Sequence, residues 1–440
     1  MKLQTTINTN SEYHRFPTSE GSHIFVVDGS RIYDLPVEMT DTEALGLFSP
    51  ILPRYIDYQP LTPPAIASIS LNVAQACNMS CGYCYADTGK FGGKARMMSL
   101  EVAKASVDRL IAESDPNVGL VIGYMGGEPL LNRAVVRETT YYATEVAKRT
   151  GRRIRFSITT NATMLQLEDV QLFNEFPFTV AISIDGDKQQ NDAIRRMNDG
   201  SSSYDRLIAG LDLFKRYGKP QHLAARVTVT PKTGELLPIL NHILSLGFDE
   251  VGFAAVLVSP DPSLTFSPSD FDVFLQNMLV CGEKALREIA AGRSYAFGNL
   301  ETAFSEIHRG SHRPYPCGAG AAYLSANAEG KLFACHRLID DPEFAMGSVQ
   351  AGTNIEARTA HLAAAHVDLM EPCNGCWARY LCGGGCYHEV KKRGRVGCDY
   401  IRGWLDFCLR AYIELSSQRP EYFVMSNQGV GISSATTLAV

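Results

Sequence analysis

No stretch of this 440-residue chain is apolar over the roughly 18 residues needed to cross a bilayer. The opening, MKLQTTINTNSEYHRF, has no apolar core, so a secretory signal is not expected. One-sided charge is missing too. The 41 Lys and Arg against 47 Asp and Glu leave a formal net charge of −6, and no run of about six like charges appears. A chain so balanced offers no basic face for nucleic acid. With 45% hydrophobic and 20% charged residues it is neither a disordered nor a membrane composition, and its length predicts two or three soluble domains in the cytoplasm.

Cysteine, by contrast, is plentiful, with 12 in the chain. The cytosol keeps thiols reduced, and the spacing is wrong for a small stapled fold, because most of the cysteines sit in two groups far apart. Metal is therefore the expected role.

The chain divides by rhythm. In residues 1–60, SHIFVVDG and SRIYDLP predict two strands around an Asp28-Gly29 turn. TDTEALGLF predicts a short helix, with Thr40 as N-cap and Glu43 completing a capping box. A connector with Pro53, Pro60, Pro63 and Pro64 follows. From residue 66 to about 300, six β-branched or apolar runs (IASISLNV, LVIGYM, IRFSITT, FTVAISI, AARVTVT and EVGFAAVLV) alternate with amphipathic helical stretches, and a helix over 268–291 ends the unit. This α/β pattern predicts a parallel sheet. Six repeats fall short of a complete eight-stranded barrel, so a partial (β/α)6 TIM-like barrel is expected, with chemistry at the C-terminal strand ends. Residues 310–415 read as Gly- and Cys-rich irregular chain until the helix in YIRGWLDFCLRAYIEL, and 416–440 as a tail that frays from Ser426.

Cys77-x3-Cys81-x2-Cys84 follows the first barrel strand directly. Three thiolates on one tight loop suit three irons of a cubane and leave the fourth open, as a catalytic metal site requires. A zinc site would want four closed ligands, and no His lies nearby. Further along, Gly126-Gly127-Glu128-Pro129 follows the second strand, Thr159-Thr160-Asn161 ends the third, and Ser183-Ile184-Asp185-Gly186 ends the fourth. On these residues the chain resembles the radical S-adenosylmethionine (SAM) superfamily over about residues 66–410. The resemblance implies a [4Fe–4S] cluster on Cys77, Cys81 and Cys84 that is reduced by one electron and splits SAM. The resulting 5′-deoxyadenosyl radical takes a hydrogen atom from substrate. It also implies SAM contacts from Tyr83 near adenine, from Gly126, Gly127 and Glu128 at the methionine amino group, and from Thr160, Asn161, Ser183 and Asp185 at the ribose and carboxylate. Arg226 is a further candidate; the plainer readings are a strand-pair arginine there and turn capping at Ser183 and Asp185.

The second group is Cys317-x12-Gly330-x4-Cys335, then Cys373-x2-Cys376-x5-Cys382-x3-Cys386, and Cys398. This is similar to the SPASM extension of peptide-modifying radical SAM enzymes. A zinc ribbon is the alternative for Cys373, Cys376, Cys382 and Cys386 taken alone. The resemblance implies two auxiliary [4Fe–4S] clusters, one on Cys317, Cys335 and Cys386 and one on Cys373, Cys376, Cys382 and Cys398. Relatives with a full set have one more cysteine. Its absence between Cys317 and Cys335 leaves an open iron for a substrate thiolate, unless Cys408 fills it. Cys408 and Cys281 read as core thiols on amphipathic helices, and His336 and His388 as neighbours of ligands.

The segments CWARYLCGGGCYHEV and FGGKARMMSLE are similar to quinohemoprotein amine dehydrogenase maturases and thioether-forming peptide maturases. That likeness implies a peptide or small-protein substrate, a thioether crosslink, and a one-electron donor such as flavodoxin or ferredoxin. Carbon–carbon crosslinking, formylglycine-type maturation of sulfatases and small-molecule SPASM dehydrogenation stay open, as does a non-catalytic iron–sulfur or zinc module. Residues 1–60 are either a leader-recognition element or a hairpin that covers the barrel.

Overall fold

The computed structural model describes residues 12–36, 38–48 and 59–429. Three antiparallel strands come first, β1 (Tyr13–Thr18), β2 (Gly21–Val26) and β3 (Arg31–Leu35), in the order β1-β2-β3. The turn at Asp28-Gly29 joins β2 to β3, with Gly29 at φ 94°. Strand β1 was not expected, because Pro17 reads against a strand; an edge strand tolerates it. Helix α1 (Asp41–Phe48) opens with the expected box. Thr40 N–H donates to Glu43 Oε2 at 2.8 Å, and Glu43 N–H to Thr40 Oγ1 at 3.3 Å. Pro53 and its neighbours in the connector lie outside the described residues. The small sheet is not a loose appendage. Phe16 and Phe25 belong to the main core, and the His14 ring stacks on Trp377 with centroids 3.9 Å apart.

The six expected barrel strands form, each followed by a helix on its outer side. They are β4 (Ser68–Gln75), then, past the two-residue ribbon β5 (Arg96–Met97) and helix α2 (Leu100–Ala112), β6 (Leu120–Gly126). Next come α3 (Arg133–Arg149), β7 (Ile154–Thr160), α4 (Leu167–Glu175) and β8 (Phe178–Ser183). Helices α5 (Lys188–Ile194) and α6 (Ser203–Tyr217) precede β9 (His222–Val229), and α7 (Leu236–Ser245) precedes β10 (Glu250–Ala255). The helices are set by local chemistry. In α6, Ser202 caps the Asp205 N–H, Leu207, Leu211 and Phe214 share the buried face, and Gly218 ends it at φ 101°. Helix α8 (Pro268–Ala290) starts on a Ser267–Asp270 capping box with Pro268 in its first turn. It buries Phe271, Phe274, Met278, Cys281, Ala285 and Ile289 at helical spacing.

After α9 (Gly298–His308) the chain is more regular than its composition suggests. Strand β11 (Tyr323–Ala326) pairs in parallel with β4, Tyr323 opposite Ser68 and Leu324 opposite Ile69. Strands β12 (Lys331–Phe333), β13 (Ala345–Ser348) and β14 (Gly352–Thr353) extend the sheet, whose order is β10-β9-β8-β7-β6-β4-β11-β12-β13-β14. The expectation of irregular chain beyond residue 310 is therefore corrected: the Cys-rich part is hydrogen-bonded to the barrel's first strand. Helices α10 (Ile355–Ala365), α11 (Arg379–Cys382), α12 (Tyr387–Arg393), α13 (Cys398–Gln418) and α14 (Pro420–Gly429) complete it. The fraying expected from Ser426 is corrected as far as Gly429, which α14 includes; residues 430–440 lie outside the described residues. Among the described residues no helix is long and apolar enough to cross a membrane.

Side chains alternate across the strands, and one face of the barrel strands is polar. Ser70, Gly123, Ser157, Thr179 and His222 lie in register across five strands. Near the β10 edge, His222 and Arg226 both bond Glu250. Burial works against that carboxylate's charge, yet these two partners hold its pKa down at about 2. Neighbouring Glu301 on α9 is pushed up to about 7 by burial and by the Glu250 charge, with His222 opposing. A carboxyl whose folded pKa is raised binds more protons folded than unfolded, so stability falls as pH rises from about 4.5 to 7. Glu301→Gln removes that penalty. Thermal unfolding should show a gain of about 1 kcal/mol at pH 8 that vanishes near pH 4; an equal gain at both pH values would contradict the assignment.

Candidate functional site

The loop after β4 carries Cys77, Cys81 and Cys84, all three partly exposed. Its path is fixed by backbone bonds, Ser80 N–H to Arg196 O at 2.9 Å and Gly82 N–H to Ile194 O at 3.1 Å. Asn161 donates to Asn78 Oδ1 at 2.9 Å, and Asn78 in turn to Thr163 Oγ1 at 2.8 Å. The three thiols feel one another's charge. Burial, together with Glu128, Cys81 and Cys84, pushes Cys77 up to about 12 against a bond from the Met79 backbone. Burial also raises Cys81, with Arg195 opposing. Such thiols give up their protons to a metal, not to water at neutral pH.

Gly126 and Gly127 are required for a reason beyond ligand approach. A β-carbon on Gly126 would lie 2.3 Å from Ala74 O, and one on Gly127 2.3 Å from Ala76 O and 2.9 Å from Cys77 Cβ. The two glycines let β6 press against the start of the cysteine loop. Glu128, expected to face an ammonium group, is wholly buried. Its Oε1 accepts from Thr160 Oγ1 at 2.7 Å and Leu130 N–H at 3.0 Å, and its Oε2 from Asn161 N–H at 2.8 Å. It braces the turn that carries Thr160 and Asn161.

Tyr83 donates to Asp185 Oδ2 at 2.5 Å and accepts from Arg195 Nη1 at 2.6 Å. Asp185 Oδ1 takes the Thr228 N–H at 2.9 Å, and its carboxylate stands 3.9 Å from Arg195. The tyrosine, the aspartate and an arginine at the end of α5 thus tie the cysteine loop to the ends of β8 and β9. Arg195 was missed in the sequence, where nothing distinguishes it from the adjacent Arg196. Ser183 ends β8 opposite Arg226 of β9, whose guanidinium is engaged by Glu250.

The seven later cysteines fall into two sets. Cys335 lies close enough to Cys317 and Cys386 to feel their charge. Cys382 likewise senses Cys373, Cys376 and Cys398. Burial raises Cys335 to about 12 and Cys317 and Cys382 to about 11, and it also raises Cys373 and Cys398. Cys382 and Cys386 are four residues apart yet belong to different sets. Gly383, Gly384 and Gly385 make this work with φ of 76°, 95° and 89°. A β-carbon on Gly383 would lie 2.4 Å from Tyr315 O, so the chain crosses directly over the residues leading to Cys317. Among the described residues no three His, Cys, Asp or Glu side chains close around one point as a single ion's ligands do. Thiolates on one tetrahedral zinc stand about 3.8 Å apart, whereas a cubane spreads its ligands over separate iron corners. The groups fit [4Fe–4S] clusters.

Cys408 is not brought to either set. It is fully buried in the core, where burial, with the Asp406 charge adding to it, raises it well above the usual thiol range. Cys281 is a core thiol on α8, raised to about 12 by burial alone. His336 Nδ1 lies 3.0 Å from Tyr323 Oη and 3.8 Å from Cys335 Sγ, and burial lowers its pKa to about 3. His388 packs its ring 5.4 Å from that of Tyr85. Tyr85, also missed in the sequence, follows Cys84, feels Cys335 and Cys386, and lies under the Arg337 guanidinium at 5.0 Å. The first cysteine loop and the three-thiol set therefore face each other across one tyrosine–arginine pair. A cavity of about 410 Å³ extends from Phe253, Ala254 and Ala255 of β10 past Cys317 and Cys386 to the four-thiol set.

Residues 71–235 match the radical SAM superfamily; the chain carries a radical SAM domain and is an enzyme. A serine-type anaerobic sulfatase-maturating enzyme of Klebsiella aerogenes is 23% identical over 364 residues, 79% of this chain and 86% of that protein. A cysteine-type enzyme of Clostridium perfringens is 21% identical over 346 residues, 73% of this chain and 89% of that one. Among solved structures, native anSMEcpe with bound AdoMet and Kp18Cys peptide superimposes with a TM-score of 0.68 at 18% identity, covering 81% of this chain and 99% of that one. Streptococcus suis SuiB bound to precursor peptide SuiA gives 0.53 at 13% identity, covering 88% and 97%. At these identities the structural likeness is one of fold.

The glycine contact is testable. Gly127→Ala should cost the reconstituted protein about 4 of about 12 irons, because the loop of Cys77, Cys81 and Cys84 must move off β6. Iron and sulfide counts check this; full iron content in the variant would contradict it.

Proposed function

We propose that this enzyme modifies a peptide or small protein and forms a thioether link between a cysteine sulfur and a carbon. The observation that carries the reading is the three-thiol set of Cys317, Cys335 and Cys386, which Cys408 does not complete. Cys77, Cys81 and Cys84 would hold one [4Fe–4S] cluster, and Cys373, Cys376, Cys382 and Cys398 a third, fully ligated one, in a SPASM domain. SAM would lie against the backbone of Gly126 and Gly127, the turn at Thr160 and Asn161, and Ser183, with Tyr83, Asp185 and Arg195 fixing the loop. Bound there, cluster and SAM supply a 5′-deoxyadenosyl radical able to take hydrogen from substrate. The chain's own task is to hold that substrate between the first loop and the three-thiol set, near Tyr85 and Arg337, and to keep water out.

A peptide substrate is supported by the bound peptides of anSMEcpe and SuiB. The sulfatase-maturating relatives favour a second reading, formylglycine formation on a protein serine or cysteine. The electron donor is proposed to be a flavodoxin or ferredoxin of the cytoplasm. Among the described residues β1 and β3 are the edge strands of the small sheet, and a leader segment would add there as a fourth strand. Amide-exchange protection of residues 31–35 on adding a leader segment would support that role, and its absence would end it.

Anaerobic reconstitution should give about 12 irons and dithionite-driven 5′-deoxyadenosine; Cys77→Ala/Cys81→Ala/Cys84→Ala should keep about 8 irons and form none. Mass spectrometry of a co-expressed Cys-containing peptide encoded beside this gene should show loss of two hydrogens per link and one thiol no longer alkylated. An aldehyde, made from a serine by loss of two hydrogens or from a cysteine whose sulfur is replaced by oxygen, would instead establish the sulfatase-type reading.

A further inference from the structure

Two arginines stand against the four-thiol set with donors left over. Arg395 gives an Nη2–H to Met370 Sδ at 3.0 Å and reaches Cys373. Arg402 gives one to Asp399 Oδ1 at 2.5 Å and reaches Cys376. Both act on Cys398. The Nε–H of each is buried and has no partner among the described residues. A buried donor left unpaired costs about 1–3 kcal/mol, and two of them beside one site point to an acceptor that belongs there. The sulfur atoms of an iron–sulfur cluster are such acceptors.

We propose that Arg395 and Arg402 raise the reduction potential of the cluster on Cys373, Cys376, Cys382 and Cys398, by donating to its sulfur atoms and by setting two positive charges beside it. The inference rests on the reading in which these cysteines hold a [4Fe–4S] cluster. Taking up one electron from a low-potential one-electron reductant adds a negative charge to the site, and neighbouring cations and N–H donors favour that charged state. The three-thiol set is placed differently. Two guanidiniums act on it, and each faces a carboxylate: Arg337 Nη1 donates to Glu389 Oε1 at 2.6 Å and Arg313 stands 3.4 Å from Glu306 Oε2, so both charges are cancelled on the spot. Asp399, by contrast, is 73% exposed and screened by solvent, and Arg395 has a thioether where a carboxylate would neutralise it. The four-cysteine cluster is therefore the more easily reduced of the two auxiliary clusters. Arg395 and Arg402 are positioning residues; they touch the thiols, not the substrate.

The test is a redox titration of the full chain followed by electron paramagnetic resonance, in the Cys77→Ala/Cys81→Ala/Cys84→Ala background so that only auxiliary signals remain. Arg395→Gln and Arg402→Gln should each lower the reduced-to-oxidised ratio of one cluster about tenfold at fixed potential, or about 59 mV for one electron. The other cluster should not shift. Arg402→Lys, which keeps the charge without the Nε donor, should fall between. Titrations that overlay the parent at unchanged iron content would overturn the proposal, as would glutamine variants that lose iron while Arg402→Lys titrates like the parent. Failure of the underlying reading shows separately, as a parent that binds about 4 irons instead of about 8 before any titration begins.

Discussion

Where β4 ends, its carbonyls and the first residues of the cysteine loop come so close to Gly126 and Gly127 that a methyl group on either glycine would lie 2.3 Å from an oxygen. Two backbones meet there without side chains between them. That contact fixes the origin of the loop bearing Cys77, and Glu128, one residue on, uses two hydrogen bonds to hold the turn at Thr160 and Asn161 beside it. The far side of β4 is hydrogen-bonded to β11, so the segment that supplies Cys317 and Cys335 starts from the same strand. One strand thus sets the distance between the first loop and the later cysteines, and Tyr85 with Arg337 lies between them.

The charges follow a second constraint. Thiols gathered in a buried space repel one another's ionised forms, and burial alone raises them further. The fold therefore keeps Cys77 and Cys335 protonated near neutral pH until a metal replaces their protons. Arginines are distributed accordingly. Arg195 stands by the first loop, Arg337 by the three-thiol set and Arg395 with Arg402 by the four-thiol set. Each carries a different counter-charge, Asp185 for the first and Glu389 for the second. The ionic partner, not the arginine itself, distinguishes one group's surroundings from the next.

Much of the barrel was legible because β-branched runs of six to eight residues leave an unmistakable period, and the helices between them carry their caps in the sequence. The cysteine sets were legible through spacing. What escaped had weak local signals. Strand β11 is the four residues YLSA, too short for periodicity and stabilised by its neighbour β4. Strand β1 contains Pro17, which only edge position excuses. The role of Glu128 could not be read as a brace, because two of its three donors come from residues over thirty positions away. Cys408 stayed ambiguous until its helix was seen to turn it into the core.

The three glycines between Cys382 and Cys386 show how short a sequence can separate two metal groups. Any residue with a β-carbon at 383 would collide with Tyr315 O and Pro316 Cα. The collision would push apart the very segments that bring Cys317 and Cys386 together. With left-handed φ at all three positions, the chain reverses within one turn, so Cys382 stays with Cys373 and Cys376 while Cys386 crosses to Cys317. The linkage is covalent and nearly rigid, and both sets line the same cavity. A displacement at one set is therefore passed to the other through four residues of backbone, which makes the two sets a single structural unit joined to the first loop through β4 and the contacts of Tyr85 with Arg337 and His388.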